Sequence, residues 1–284
     1  MRLFLILTAC CLCLGVSPLL AQDLPAENSA AAPKADRALF PELKRTLSGR
    51  VDQVIDGLTF TLKDGKIVRL SAIDVPDLTQ PQGDIAFRAF RLSRTLLPEG
   101  AEVALYQTRQ ARTGRENRMG QLLAHVYIER ENVWVQGALL AEGLARAMPG
   151  DANPEMTREM FIMEQKARAA KKGLWAEDGP YHLQTPDTLA DKTGSVQVVE
   201  GTILKTASVK NNVYLNFGAD WRTDFTVRIS PAIRREMSRK QINPLDLQGK
   251  AIRVRGYVED YNGPMITLET IHHLEILDGT PSAR

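Results

Sequence analysis

Cysteine is almost missing from this chain, and the little there is lies at one end. The three cysteines are Cys10, Cys11 and Cys13. A chain processed after them would carry none, which excludes disulfides, a thiolate nucleophile and cysteine metal sites from the mature protein. That suits an exported protein that folds without oxidation. Long apolar runs are scarce too. Leu3–Val16 is apolar but too short to span a bilayer, so no transmembrane segment is expected in the mature chain. An excess of one charge is also lacking. Lys and Arg number 36 against 34 Asp and Glu, a net of +2. The balance does not require a polyanionic partner, and any basic surface must come from local clustering. Histidine is sparse, and His272 and His273, read as neighbours on a strand, would point to opposite faces and not share a metal.

What is present divides the chain. Arg2, the apolar Leu3–Val16 and the small-residue site ending at Ala21 read as a signal peptide over 1–21, with export to the periplasm or medium. Residues 22–46, rich in Ala, Pro, Glu and Lys, read as a flexible leader, with a helical tendency near Leu39–Leu43. Residues 47–177 and 195–280 read as two domains. Between them, 178–194 carry Gly179, Pro180, Pro186 and Gly194 and read as a linker.

The stretch Val54–Asp77 organises the first domain. Thr59–Leu62 and Ile67–Leu70 are rich in strand-forming residues, and Asp64-Gly65 is a hairpin turn signal. A hairpin would bring Asp56 near Asp74 and Asp77, with Arg69 beside them. Clustered carboxylates next to an arginine suit a divalent cation and a phosphate. They equally suit a surface hairpin with acidic loop ends. A helix is expected over about 84–97, with strands near 102–107 and 122–128. Further helices are expected over 133–142 and 154–172, the second with a core-type methionine stripe of Met156, Met160 and Met163. The loop 109–118 holds Arg109, Arg112, Arg115 and Arg118, and reads either as a phosphate grip or as a solvated connection.

Val54–Asp77 resembles the active-site signature of the staphylococcal nuclease-like (thermonuclease) family, roughly V-I-D-G-D-T, a D-G turn, then V-R-L-x-x-I-D-x-P-E. The similarity continues through Gln121–Tyr127, Val135–Ala145 and Gln165–Trp175. It implies an OB-type five-stranded barrel with three helices, in a mainly β, α+β chain. It also implies calcium-dependent hydrolysis of nucleic-acid phosphodiesters. By position, Asp56 and Asp74 are the implied metal residues, and Arg69 and Asp77 the implied arginine and general base. Three positions depart. Leu58 stands where a metal-ligating Asp is usual, Asp77 replaces the usual Glu, and Gln121 replaces a second arginine. Leucine offers a hard cation no oxygen. Glutamine carries no charge, and loss of one transition-state donor typically costs about 10²–10³-fold in rate. Arg115 or Arg118 could in principle swing into the vacant place.

Residues 195–280 show five or six strands with a short helix over Pro231–Lys240, a pattern like a second, small OB-like β-barrel. Val213–Gly218 and Ile252–Val258 resemble small bacterial OB domains attached to nuclease-like domains. Such barrels bind single strands on aromatic and cationic platforms, for which Tyr214, Trp221, Arg253 and Arg255 are candidates beside Arg112, Arg115 and Arg118. Strand alternation sends Ile252 and Val254 inward and Arg253 and Arg255 outward. The same residues serve equally as core aromatics and solubilising arginines. The sequence therefore reads as an exported nuclease-like protein with a degraded catalytic set and weakened Ca2+ binding, whose partner is a nucleic acid or an envelope protein. An active Ca2+-dependent endonuclease is the alternative.

Overall fold

β1 (Lys44–Val54), β2 (Thr59–Leu62) and β3 (Ile67–Leu70) form an antiparallel meander in the computed structural model, which describes residues 40–75, 83–110, 113–177 and 181–277. The proposed signal peptide, Asp77 and Arg112 lie outside the described residues. The turn between β2 and β3 is Asp64-Gly65, and Gly65 takes a φ of 83°, which a side chain would resist. β3 then pairs in parallel with β6 (Leu122–Ile128), β6 antiparallel with β5 (Glu102–Gln107), and β5 antiparallel with β1. These pairings close a five-stranded barrel. Val51, Phe60, Leu62, Val68, Leu105 and Val126 fill it.

Helices seal the barrel. α1 (Gly83–Leu96) buries Ile85, Ala86, Ala89 and Ser93, and Ser93 Oγ donates to the Gly57 carbonyl at 2.9 Å. Gly57 permits this approach, because a Cβ there would lie 3.1 Å from the Ala89 Cβ. α2 (Val135–Ala141) is buried almost throughout. Its Gln136 behaves like a strand residue, donating to Ala124 O at 2.8 Å and accepting from Val126 N at 3.1 Å. α3 (Thr157–Ala169) buries Met160 and Ala167, and Met156 just before it is in the same core. A two-residue ladder joins β4 (Ile73–Asp74) to β8 (Arg146–Ala147), and β7 (Val133–Trp134) extends the β6 edge.

Two boundary expectations fail for one reason, which is packing. Phe40 and Leu43 are core residues, so the first barrel begins before residue 47. Phe40 stacks on Tyr106 at 4.8 Å and meets Tyr127 and Trp134 edge-on. The chain at 40–43 is a turn leading into β1, not a helix. Nor does 181–194 behave as a free linker. Tyr181, Gln184 and Leu189 are buried, and Gln184 exchanges backbone hydrogen bonds with Val198 and Glu200 at 2.9 Å.

The C-terminal sheet contains β9 (Val196–Thr202), β10 (Lys205–Val209), β11 (Asn212–Asn216), β12 (Thr226–Ile229), β13 (Ala251–Asp260), β14 (Pro264–Leu268) and β15 (Leu274–Leu277). β10–β11 and β11–β12 are antiparallel, β12–β14 parallel, β14–β13 and β13–β9 antiparallel. This is the pairing order of the first barrel, with consecutive β9 and β10 in the place of β1. α4 (Pro231–Arg239) follows β12, capped by Ser230 with Pro231 in its first turn. Val199, Leu215, Phe225, Val227, Ile252 and Ile266 form a second core. His272 and His273 lie on a 3-10 turn, Ile271–His273, rather than on the expected strand.

The two cores are joined by buried charge. Arg255 is wholly buried. Its Nη1 donates to Ala147 O at 2.7 Å and to Glu164 Oε2 at 3.0 Å, and its Nη2 donates to Glu275 Oε1 at 2.6 Å. The guanidinium also covers the Phe161 ring at 4.2 Å. Arg253 donates to Glu200 at 2.7 Å and Glu275 at 3.2 Å. Alternation did turn both arginines away from the sheet's own core. The face they turn to is covered, at Arg255 by α3 and β8, so these two residues are ion-pair partners and not a platform for nucleic acid. Burial alone would lower the Arg255 pKa, but Glu164 and Glu275 raise it, so the pair stays charged. Burial likewise pushes Glu164 up, yet Arg255 and Arg168 hold it below its ordinary range.

Two outcomes follow from the buried charges. Arg255→Met should cost about 3–5 kcal/mol in urea unfolding, because Glu164 then loses its main counter-charge. Adding Glu164→Leu should recover much of that loss; equal losses in the single and double variants would show that the pair is not coupled. The second concerns His125, buried beside Trp134 with neither ring nitrogen bonded among the described residues. Burial drives its pKa from 6.5 down to about 3. The unfolded chain therefore takes the proton first, and stability present above about pH 6.5 falls as pH drops, by roughly 1.4 kcal/mol per pH unit. Unfolding midpoints measured from pH 7 to pH 4 should flatten in His125→Phe.

Candidate active site

Of the residues expected around the metal and phosphate, Asp77 lies outside the described residues, and most of the others are already engaged. The chain enters β2 through a tight Asp56-Gly57-Leu58 turn. Asp56 Oδ1 accepts from Leu58 N at 2.7 Å, a side-chain-to-backbone turn that fixes the carboxylate on its own loop. Leu58 is buried in the barrel core, while its carbonyl accepts from Leu70 N at 2.8 Å. Its side chain packs with the apolar residues of that core.

Arg69 lies opposite Thr59 on β2 and beside Leu123 on β6. Its flanking residues Val68 and Leu70 point into the core, so Arg69 faces outward and is partly exposed. Its Nη1 donates to Thr59 Oγ at 3.2 Å. Gln121, just before β6, is spent on a local turn. Its Oε1 accepts from Asn117 Nδ2 at 2.7 Å, and its N–H donates to Asn117 Oδ1 at 3.1 Å.

Asp74 has the most consequential surroundings. It sits across the short ladder from Arg146, whose Nε and Nη2 both donate to Asp74 Oδ2, at 2.9 and 2.6 Å. The Arg146 side chain is 6% exposed, against 37% for Asp74. Arg146 Nη1 also donates to Val196 O at 2.6 Å, and its guanidinium lies 4.7 Å from the centre of the Tyr181 ring. The expected metal residue is therefore half of a partly buried ion pair that ties the first barrel to the start of β9. Arg146 was missed in the sequence. The only signal was a charged residue inside the otherwise apolar run Leu144–Met148.

The arginine loop is pinned at several points, and Arg109 Nε donates to Glu42 O at 3.1 Å. Arg115 Nε donates to Thr108 O at 2.8 Å, and Arg115 O accepts from Leu123 N at 2.9 Å. A Cβ at Gly114 would stand 2.0 Å from Ala152 O, so the backbone there has no slack. Arg115 does not swing toward Gln121; Arg118 stays exposed, with no ion pair among the described residues. In the C-terminal sheet, Tyr214 is half-buried opposite Arg228, and Trp221 is 53% exposed under the Arg222 guanidinium at 4.8 Å. α4 adds a surface that sequence reading passed over. Arg234, Arg235 and Arg239 line an open groove with Asn211, and none has an acidic partner among the described residues. Their spacing along one helix face was the available signal.

Residues 67–177 match the family described as Staphylococcal nuclease homologue. A search of curated proteins returned no match.

The Asp74–Arg146 geometry yields a graded expectation. Arg146→Met should cost more stability than Asp74→Asn, because the arginine also holds Val196 O and the Tyr181 face. About 2–4 kcal/mol against about 1–2 kcal/mol is the anticipated split in chemical denaturation. Equal losses would mean that Arg146 acts through Asp74 alone.

Proposed function

Starting from a chain that carries a staphylococcal-nuclease-like domain, we propose that this protein is an exported nucleic-acid-binding protein whose nuclease scaffold no longer hydrolyses phosphodiesters. The observation that carries this reading is the double engagement of Asp74 Oδ2 by the buried Arg146. A calcium site needs six to eight oxygen ligands, several of them anionic. Here one carboxylate is held by a guanidinium, another by its own turn, and Leu58 contributes none. The residues present do not fit calcium, and no catalytic step is routed through it. Arg69 remains as a phosphate contact, without the second cation that would share the charge of a five-coordinate transition state.

Binding needs less than catalysis does. Cations unpaired by carboxylates and exposed aromatic faces suffice, since phosphate contacts dominate affinity and every base offers a face for stacking. Arg118 and the Arg234–Arg239 groove supply the cations and Trp221 the exposed ring, while Arg222 beside it pairs with Asp220 at 3.6 Å. The C-terminal sheet is read here as a second OB-type barrel, on the strength of its repeated pairing order. Protein partners in the cell envelope are the competing occupant of the same surfaces.

The purified mature chain should leave plasmid DNA, single-stranded DNA and RNA intact at millimolar calcium, yet retain them in a filter assay with strong salt dependence. Calcium-dependent cleavage that disappears in Asp74→Ala would overturn the reading, as would absence of retention at low salt. Leu58→Asp with Gln121→Arg is not expected to restore cleavage while Arg146 remains. The new carboxylate replaces a packed leucine, at a stability cost of about 2–5 kcal/mol.

A further inference from the structure

Asp151, Glu236 and His272 come from three distant stretches of chain and meet at one place. Asp151 lies in the turn after β8, closed by Asn153 N donating to Gly150 O at 3.0 Å. Glu236 lies in the middle of α4. His272 lies on the 3-10 turn whose first residue follows Thr270, and Thr270 Oγ accepts from His272 N at 3.2 Å. One ligand atom from each lies within 4.8 Å of the others.

The charge balance at this point is unsettled. Neither Asp151 nor Glu236 makes an ion pair among the described residues. Glu155, in the turn before α3, is 9% exposed. Its Oε1 accepts from Thr108 at 2.6 Å, but its Oε2 is buried with no hydrogen-bond partner. Its charge reaches His272, as do those of Asp151 and Glu236. Lys240, at the C-terminal end of α4, pairs with no carboxylate among the described residues. His273 Nδ1 is a further buried nitrogen without a partner. Two carboxylates, with Glu155 as a third nearby, thus gather round the His272 imidazole.

We propose that Asp151, Glu236 and His272 form a site for a first-row divalent cation of the zinc type, with Glu155 as the buried carboxylate behind it. Imidazole and carboxylate are both zinc donors, and three protein ligands with a fourth position left for water is the arrangement of an open zinc site. Ligand bonds of about 2.0–2.2 Å require the three donor atoms to close by roughly an ångström, within reach of side-chain rotation. Imidazole disfavours calcium and magnesium, which take all-oxygen shells. The site shares no residue with the Asp74–Arg146 pair and does not depend on the nucleic-acid reading. It would brace the Asp151 turn of the first barrel against α4 and the 271–273 turn of the second.

Cobalt(II) and zinc titrations of the mature chain test this. Cobalt should give the visible absorption of a four- or five-coordinate ion at one equivalent, displaced by zinc and not by calcium. Zinc should raise the thermal midpoint. Asp151→Asn and Glu236→Gln, both at sites with solvent access, should each abolish the cobalt spectrum while leaving the metal-free midpoint close to that of the natural protein. Glu155→Gln should weaken zinc by about tenfold or more without removing the spectrum. Absence of the cobalt spectrum, or zinc retention unchanged in the doubly substituted Asp151→Asn, Glu236→Gln protein, overturns the site.

Discussion

A guanidinium sealed from water governs how this molecule is put together. Arg255 has no exposed surface, and the charge it carries is tolerable only because Glu164 from α3 and Glu275 from β15 meet it at hydrogen-bond distance. Glu164 in turn accepts from Ala147 N at 2.8 Å and from Arg168 at 3.2 Å. Two strands of the C-terminal sheet, one helix of the nuclease-like barrel and the short strand β8 thus share one set of ion pairs and hydrogen bonds. A buried ion pair is a poor source of net stability against an apolar equivalent, but breaking half of it is expensive. Here its contacts tie β13 and β15 to α3 and β8.

Arg146 repeats the device nearer the solvent. It joins Asp74, Val196 O and the Tyr181 ring, one partner from the barrel and two from the chain that leads into the second sheet. Asp74 and Arg146 thereby act as a strut between the barrel and the chain that leads into β9.

Much of the fold could be read along the chain. β2, β3, β5, β6, α1 and α3 appear within a few residues of where hydrophobic period and turn signals placed them, and the Met156–Met163 stripe is core as its spacing indicated. The misses share a cause. Phe40, Tyr181, Gln184 and Leu189 sit in segments whose composition suggested looseness, and only long-range partners make them part of a core. The alternation of Ile252, Arg253, Val254 and Arg255 was readable; the protein that covers the outer face was not.

Local properties were therefore settled by the sequence itself: strand and helix periodicity, the Asp64-Gly65 turn, the absence of usable thiols, and the leucine and glutamine at positions 58 and 121. These depend on neighbours within a few residues, so the chain displays them directly. Which charges end up paired was decided only by the tertiary structure. Arg146 finds Asp74 across 72 positions, and Arg255 finds Glu164 across 91. An isolated arginine in a sequence looks the same whether it will meet water, a phosphate or a buried carboxylate, and only the three-dimensional packing excludes two of the three.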